Sequence, residues 1–214
     1  MTSRQLTTVD RLLINADSML RTLSRRGASA SRPSPAQGHS EASLSDKERR
    51  HIAGLMRVNH TGEVCAQALY QGQALTARTA GTRAEMEQAA QEEIDHLVWC
   101  EERLEELGAR PSMLNPLWYG VSLALGATAG AISDSVSLGF VHATEERVAT
   151  HLRQHLKSLP DQDRKSQLIL QKMLEDEERH GENALKAGGT EFSRPVKDAM
   201  TTVSKVMTET SYWV

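Results

Sequence analysis

Apolar residues recur along the chain at intervals of three and four, the spacing of helices that bury one face. The first such stripe joins Leu6, Val9, Leu12, Leu13, Ala16, Met19, Leu20 and Leu23 and predicts an amphipathic helix over residues 1–23. It gives way to SRRGASASRPSPAQGHSEAS, where Ser, Pro, Gly and Ala leave few large apolar groups to bury, so residues 24–44 read as a linker with a mobile tip. Ser45 followed by Glu48 makes a capping box and opens the main body, residues 45–214. One helical pattern runs from there to about Arg78, and a second covers about residues 83–107, stopping at Gly108 with Pro111 beyond.

Residues 111–133, containing NPLWYGVSLALGATAGAIS, carry no charge at all. The stretch is long enough to consider as a membrane span, but its many Gly, Ser, Thr and Ala residues make it only modestly apolar, which favours a buried or membrane-facing helix. The pattern resumes without a breaker through Asp134 and Glu145 to about Leu159, restarts at PDQD, and reaches about Lys186 before AGG. A last amphipathic helix has Phe192, Val196, Ala199, Met200, Val203 and Val206 on one side.

Composition agrees with an all-α fold: aromatic residues are 4% of the 214, and Ala, Leu, Glu, Gln and Arg are plentiful. The length suits a single core, and a net charge of −3 argues against nucleic acid as the partner. Cys65 and Cys100 form no Cys-x-x-Cys pair and read as small core residues in a reducing compartment. The Arg-rich start has the amphipathic character of a mitochondrial presequence, against which Asp10 and Asp17 argue; the other reading is a surface or membrane-docking helix.

The chemistry lies in a repeated Glu-x-x-His, Glu93/His96 in EEIDH and Glu177/His180 in EDEERH. Positions three apart on a helix point the same way, so both side chains of each pair can reach one ion. A third instance, Glu48/His51, is explained by the Ser45 cap. The other two have upstream partners at matched distances. Glu63 precedes its pair by 30 and 33 residues, and a glutamate of ATEERV, either Glu145 or Glu146, precedes the second pair, by 32 and 35 if it is Glu145. Two helix hairpins of this kind supply four carboxylates and two imidazoles, the donor set of ferritin-like di-iron and di-manganese bundles. Oxygen and imidazole donors suit iron or manganese, and without thiolates neither a structural zinc nor an iron–sulfur cluster fits. His60, His142, His151 and Asp95 are candidates for orienting the ligands from outside.

MRVNHTGEVCAQALYQGQA, EEIDHL, PLWYGVSLALGATAG, ATEERVATH and DEERHGENA, in that order, resemble the demethoxyubiquinone hydroxylases. The resemblance runs from Ser45 to the C-terminus and implies a ferritin-like bundle with two iron ions per chain. It assigns the metal ligands to Glu63, Glu93, His96, Glu145, Glu177 and His180, with Glu93 and Glu177 bridging, and so decides between Glu145 and Glu146. It implies no catalytic residue beyond these ligands.

The implied reaction is O2-dependent hydroxylation of a polyprenylated 3-demethoxyubiquinol ring to 3-demethylubiquinol, in ubiquinone synthesis, with NADH as the ultimate electron donor. The chain has no Gly-x-Gly-x-x-Gly fingerprint, so no dedicated nucleotide domain is expected. The family meets a membrane face without crossing it, which is the role expected of residues 111–133. Leaving lipid costs a polyprenyl tail about 0.8 kcal/mol per methylene, so the enzyme should go to the bilayer. Gly120, Gly126, Ala129 and Gly130 would admit a tail or a neighbouring helix. The expected location is the cytoplasmic face of a bacterial inner membrane, with the matrix side of the mitochondrial inner membrane as the alternative. Other ubiquinone-synthesis proteins or further copies of the chain are the candidate partners. The competing readings are a ferroxidase or iron-storage protein, a peroxidase-type di-metal enzyme, and a metal-free membrane-surface adaptor.

Overall fold

A computed structural model describes residues 7–214, apart from the side chains at positions 8, 9, 11 and 12; Leu6 and the side chains of Val9 and Leu12 in the first predicted stripe lie outside the described residues. Among the described residues there are seven helices and no strands: α1 Thr8–Leu23, α2 Asp46–Thr76, α3 Ala80–Glu106, α4 Asn115–Ile132, α5 Asp134–Ser158, α6 Arg164–Lys186 and α7 Arg194–Trp213. The hairpins α2/α3 and α5/α6 form a four-helix bundle in which α3 also meets α6, and α4 runs along the outside of α2. The capping box at Ser45 and Glu48 forms as expected.

The pattern from residue 111 onward is not continuous. Ser133 is extended between α4 and α5, accepting a hydrogen bond from the Val136 amide, while Asp134 accepts from the amides of Arg78 and Thr79. A serine cap followed by an acid in the first turn is enough to end one helix and start the next.

Apolar clusters fill both ends of the bundle. Ile52, Met56, Trp99, Cys100, Leu104, Leu152, Leu170 and Met173 pack at one end. Tyr70, Met86, Leu138, Val141 and Ala184 pack at the other. The Glu-x-x-His residues occupy the layer between them.

Residues 24–44 form no helix, yet the expected mobile tip is docked on the bundle. Arg32 pairs with Asp95 at 2.5 Å and Asp176 at 2.7 Å and lies over the Trp99 ring, Ser31 donates to Asp95, and Ala36 is buried. Polar anchoring replaces the apolar burial that the composition lacks.

No helix among the described residues is long and apolar enough to cross a membrane. The small residues of α4 serve a helix instead: a Cβ on Gly126 would lie 2.1 Å from the Leu69 carbonyl oxygen, and one on Gly72 2.3 Å from that of Leu123. Ala129 and Gly130 are buried on the same face, whereas Gly120 faces open space. The opposite face of α4 exposes Leu117, Val121 and Leu125.

Gly126→Val should therefore cost about 3 kcal/mol in urea unfolding, the upper range for overpacking against backbone, while Gly120→Ala, with open space at its Cβ, should raise the midpoint slightly.

Candidate metal centre

Each helix of the bundle brings its part of the motif to mid-height. Glu63 comes from α2, Glu93 and His96 from α3, Glu145 from α5, and Glu177 and His180 from α6; all six side chains are buried, the most exposed being His180 at 7%. Glu63, Glu93, His96 and Glu177 each offer a ligand atom within 4.8 Å of the others. Glu145 and His180 stand outside that tight group but adjoin it, His180 Nδ1 being 2.9 Å from Glu93 Oε1 and 3.7 Å from Glu177 Oε2.

The two histidines are held in the same way. His96 turns Nδ1 toward Glu93 and Glu177, at 2.9 and 3.0 Å, and its Nε2 meets Asp176 Oδ2 at 3.1 Å. His180 turns Nδ1 toward Glu93 and its Nε2 meets Glu92 Oε2 at 2.7 Å. Asp176 and Glu92 are each the residue immediately before a Glu-x-x-His, and each serves the histidine of the opposite hairpin. Such partners fix ring orientation and make imidazole a better ligand.

These two partners were not among the sequence candidates, although an acid precedes both motifs. Tyr70, which donates its hydroxyl to Glu145 Oε1, was also missed; it lies two helical turns after Glu63 on the same face. The candidates that were named have other partners. His60 bonds Asn115 Nδ2, His142 the Gly181 carbonyl, His151 the Ser204 hydroxyl, and Asp95 the docked 31–32 segment. Cys100 is a core residue; Cys65 lines a cavity, and burial pushes its thiol up to about 11.

The electrostatics of the cage suit cations. Burial, together with the neighbouring carboxylates, raises Glu63 and Glu145 well above the usual carboxyl range. Burial opposes charge on His96 and His180, but the surrounding carboxylates outweigh it and raise both. These four shifts favour added positive charge in the cage, while at Glu93 and Glu177 burial is outweighed by the two histidines, which hold both below the usual carboxyl range. Glu93 Oε1, both Glu177 oxygens and His180 Nδ1 are buried and make no well-formed hydrogen bond among the described residues, although His180 Nδ1 and Glu93 Oε1 lie only 2.9 Å apart. Buried lone pairs that converge with few hydrogen-bond donors between them, on an oxygen and imidazole donor set, fit hard or borderline metal ions.

A cavity of about 340 Å³ reaches Glu63 from the surface between α4 and α7, with Leu69, Val121, Leu125, Phe140 and Val203 in its wall.

The chain matches the family described as "Ubiquinone biosynthesis protein COQ7" over residues 50–211. It is 60% identical to the 3-demethoxyubiquinol 3-hydroxylase of Azotobacter vinelandii over 209 residues, covering 98% of this chain and 97% of that one. It is 59% identical to the enzyme of the same name from Ectopseudomonas mendocina, with the same coverage. Among solved structures it resembles a dodecameric thioferritin of Bacteroides fragilis, with a TM-score of 0.51 and 17% identity over 64% of this chain and 84% of that one, a likeness of fold.

Asp176→Asn and Glu92→Gln should each weaken cobalt(II) or ferrous binding about 10- to 100-fold, as followed by titration of the metal-free protein, with helix content unchanged by circular dichroism.

Proposed function

The chain belongs to the COQ7 family of ubiquinone biosynthesis proteins, and from that premise we propose that it hydroxylates the ring of a polyprenylated 3-demethoxyubiquinol at a two-iron centre. The ligands in this reading are Glu63, Glu93, His96, Glu145, Glu177 and His180, with Glu93 and Glu177 shared between the ions. The observation that carries it is the buried layer of four carboxylates and two imidazoles at the end of an apolar cavity. Ferrous ions bound there would supply electrons for the reduction of O2, with NADH as the ultimate donor.

The chain's own residues do the rest. Asp176 and Glu92 orient the two imidazoles, and Tyr70 holds Glu145 by one oxygen. The apolar wall excludes water from the ring and accommodates the first part of the tail. Asn59 Nδ2, Trp118 Nε1 and Arg147 Nε belong to residues lining that wall and make no hydrogen bond among the described residues. They are donors, matched to the acceptor oxygens of a quinol or its methoxy group.

Peripheral attachment to the cytoplasmic face of a bacterial inner membrane is part of the proposal. Leu13, Met19 and Leu20 of α1, Leu117, Val121 and Leu125 of α4, and Val196, Val203 and Val206 of α7 are all exposed. The three helices neighbour one another: Gln71 bonds Ser18 of α1 and Tyr119 of α4, and α4 and α7 flank the cavity mouth.

With ferrous iron, NADH, labelled O2 and a short-tailed substrate, one labelled oxygen should enter the ring by mass spectrometry, and Glu93→Ala and Glu177→Ala should lose at least 100-fold in rate. Two irons bound and O2 consumed without ring hydroxylation would favour a ferroxidase instead. Leu117→Asp with Leu125→Asp should release the protein from vesicles; Leu123 is unsuitable for that test because it packs against the core formed by Val64, Ala68, Leu97 and Tyr119.

A further inference from the structure

At one end of the bundle lies a second, polar cleft of about 730 Å³, remote in character from the apolar cavity. Five arginines line it: Arg25, Arg49, Arg50, Arg57 and Arg110. The acids in its wall are Asp46 and Glu105, and Glu105 is already engaged by Arg25 at 3.0 Å and Arg26 at 2.6 Å. Arg49, Arg50, Arg57 and Arg110 have no carboxylate within 4.0 Å among the described residues, so the cleft concentrates positive charge in a chain whose net charge is −3.

One of these guanidinium groups, that of Arg57, is held by backbone carbonyls, one of them belonging to Arg110. Arg57 donates from Nε to the Arg110 carbonyl at 3.0 Å and from Nη1 to the Tyr212 carbonyl at 2.6 Å. Burial and the like charge of Arg110 both lower its pKa. Carbonyl groups hold a cation in position without neutralising it, leaving its charge for an incoming anion. Exposed apolar side chains border the same place. Met113, three residues from Arg110 and touching its guanidinium through sulfur, is 68% exposed, and Trp213, next to the Tyr212 carbonyl that holds Arg57, is 79% exposed.

A cluster of guanidinium groups, one of them held in place by backbone carbonyls, beside an apolar lip is complementary to an anion that carries a hydrocarbon chain. We infer that this cleft binds the phosphate headgroup of an anionic phospholipid and orients the protein on the bilayer. The inference rests on the peripheral-membrane reading above and adds a site to it. Met113 of the lip stands four residues before Leu117, an exposed residue of the first turn of α4, so a headgroup in the cleft would set that face against the acyl region.

The test is vesicle co-sedimentation of the full chain, with phosphatidylcholine alone and with about one-third phosphatidylglycerol. Phosphatidylglycerol should tighten binding of the wild type in a salt-sensitive way. Arg49→Gln, Arg50→Gln and Arg110→Gln combined should remove the gain, roughly a 100-fold loss at about 1 kcal/mol per cation. Arg83→Gln, Lys186→Gln and Arg194→Gln combined, an equal change in net charge elsewhere, should retain it. Equal binding to both vesicle types, or equal loss in both triple variants, would overturn the headgroup site while leaving membrane attachment standing. No binding to either vesicle would overturn the membrane reading and this inference with it. Calorimetric binding of inorganic pyrophosphate at micromolar affinity, abolished in the first triple variant, would reassign the cleft to soluble phosphates.

Discussion

Placing four carboxylates in a dry helical core costs several kcal/mol for each charge left uncompensated, and the layout of this bundle follows from that cost. Each bundle helix delivers at least one proposed ligand to the same layer, and apolar packing closes the core above and below. Positive charge at the centre, such as the proposed metal ions would bring, would therefore be part of what makes the interior tolerable. The outer carboxylates extend the same logic. Asp176, lying against His96, is itself ringed by Arg32, Lys172 and Arg179, and burial is outweighed so that its carboxyl is held below the usual range. Charge alternates outward from the centre, and each shell makes the next one inward affordable.

The same alternation ties the N-terminal segment to the site. Arg32 crosses from residues 24–44 to bridge Asp95 and Asp176, and so stands two hydrogen bonds from a proposed metal ligand, His96. The bundle's two hairpins are likewise incomplete without each other, because the acid that orients each histidine comes from the other hairpin. Neither α2/α3 nor α5/α6 alone could present a finished half-site.

Much of this was legible in the sequence, and the exceptions have physical reasons. Helix positions followed from apolar spacing, since a buried face must repeat with the helix turn. The six proposed ligands followed from the doubled motif, with Glu145 preferred to Glu146 only through the family resemblance; in the structure Glu145 is buried and Glu146 pairs with Lys197 at the surface. The break at Ser133 was missed because capping chemistry interrupts a helix without disturbing its apolar pattern. Asp176 and Glu92 were available in principle, as the acid before each motif, but adjacent residues on a helix point about 100° apart, so their target lay on another element. Arg32 left no periodic signal at all. A lone cation in a Ser/Pro-rich stretch looks solvated until the acids that receive it, 63 and 144 residues away, are brought beside it.

The glycine-to-backbone seam between α2 and α4 also fixes a depth. Helices in contact lie about 8–10 Å apart, and Gly72 and Gly126 place this pair at the close end of that range. Glu63 is thus one helix layer behind the exposed face of α4, and the cavity between α4 and α7 spans that thickness. A ring drawn in as far as the carboxylates would bring only the first few carbons of an attached hydrocarbon with it. The remainder would lie outside whatever its extent, so in the proposed reaction this architecture would select on the ring and the start of the tail and be blind to how long the tail is.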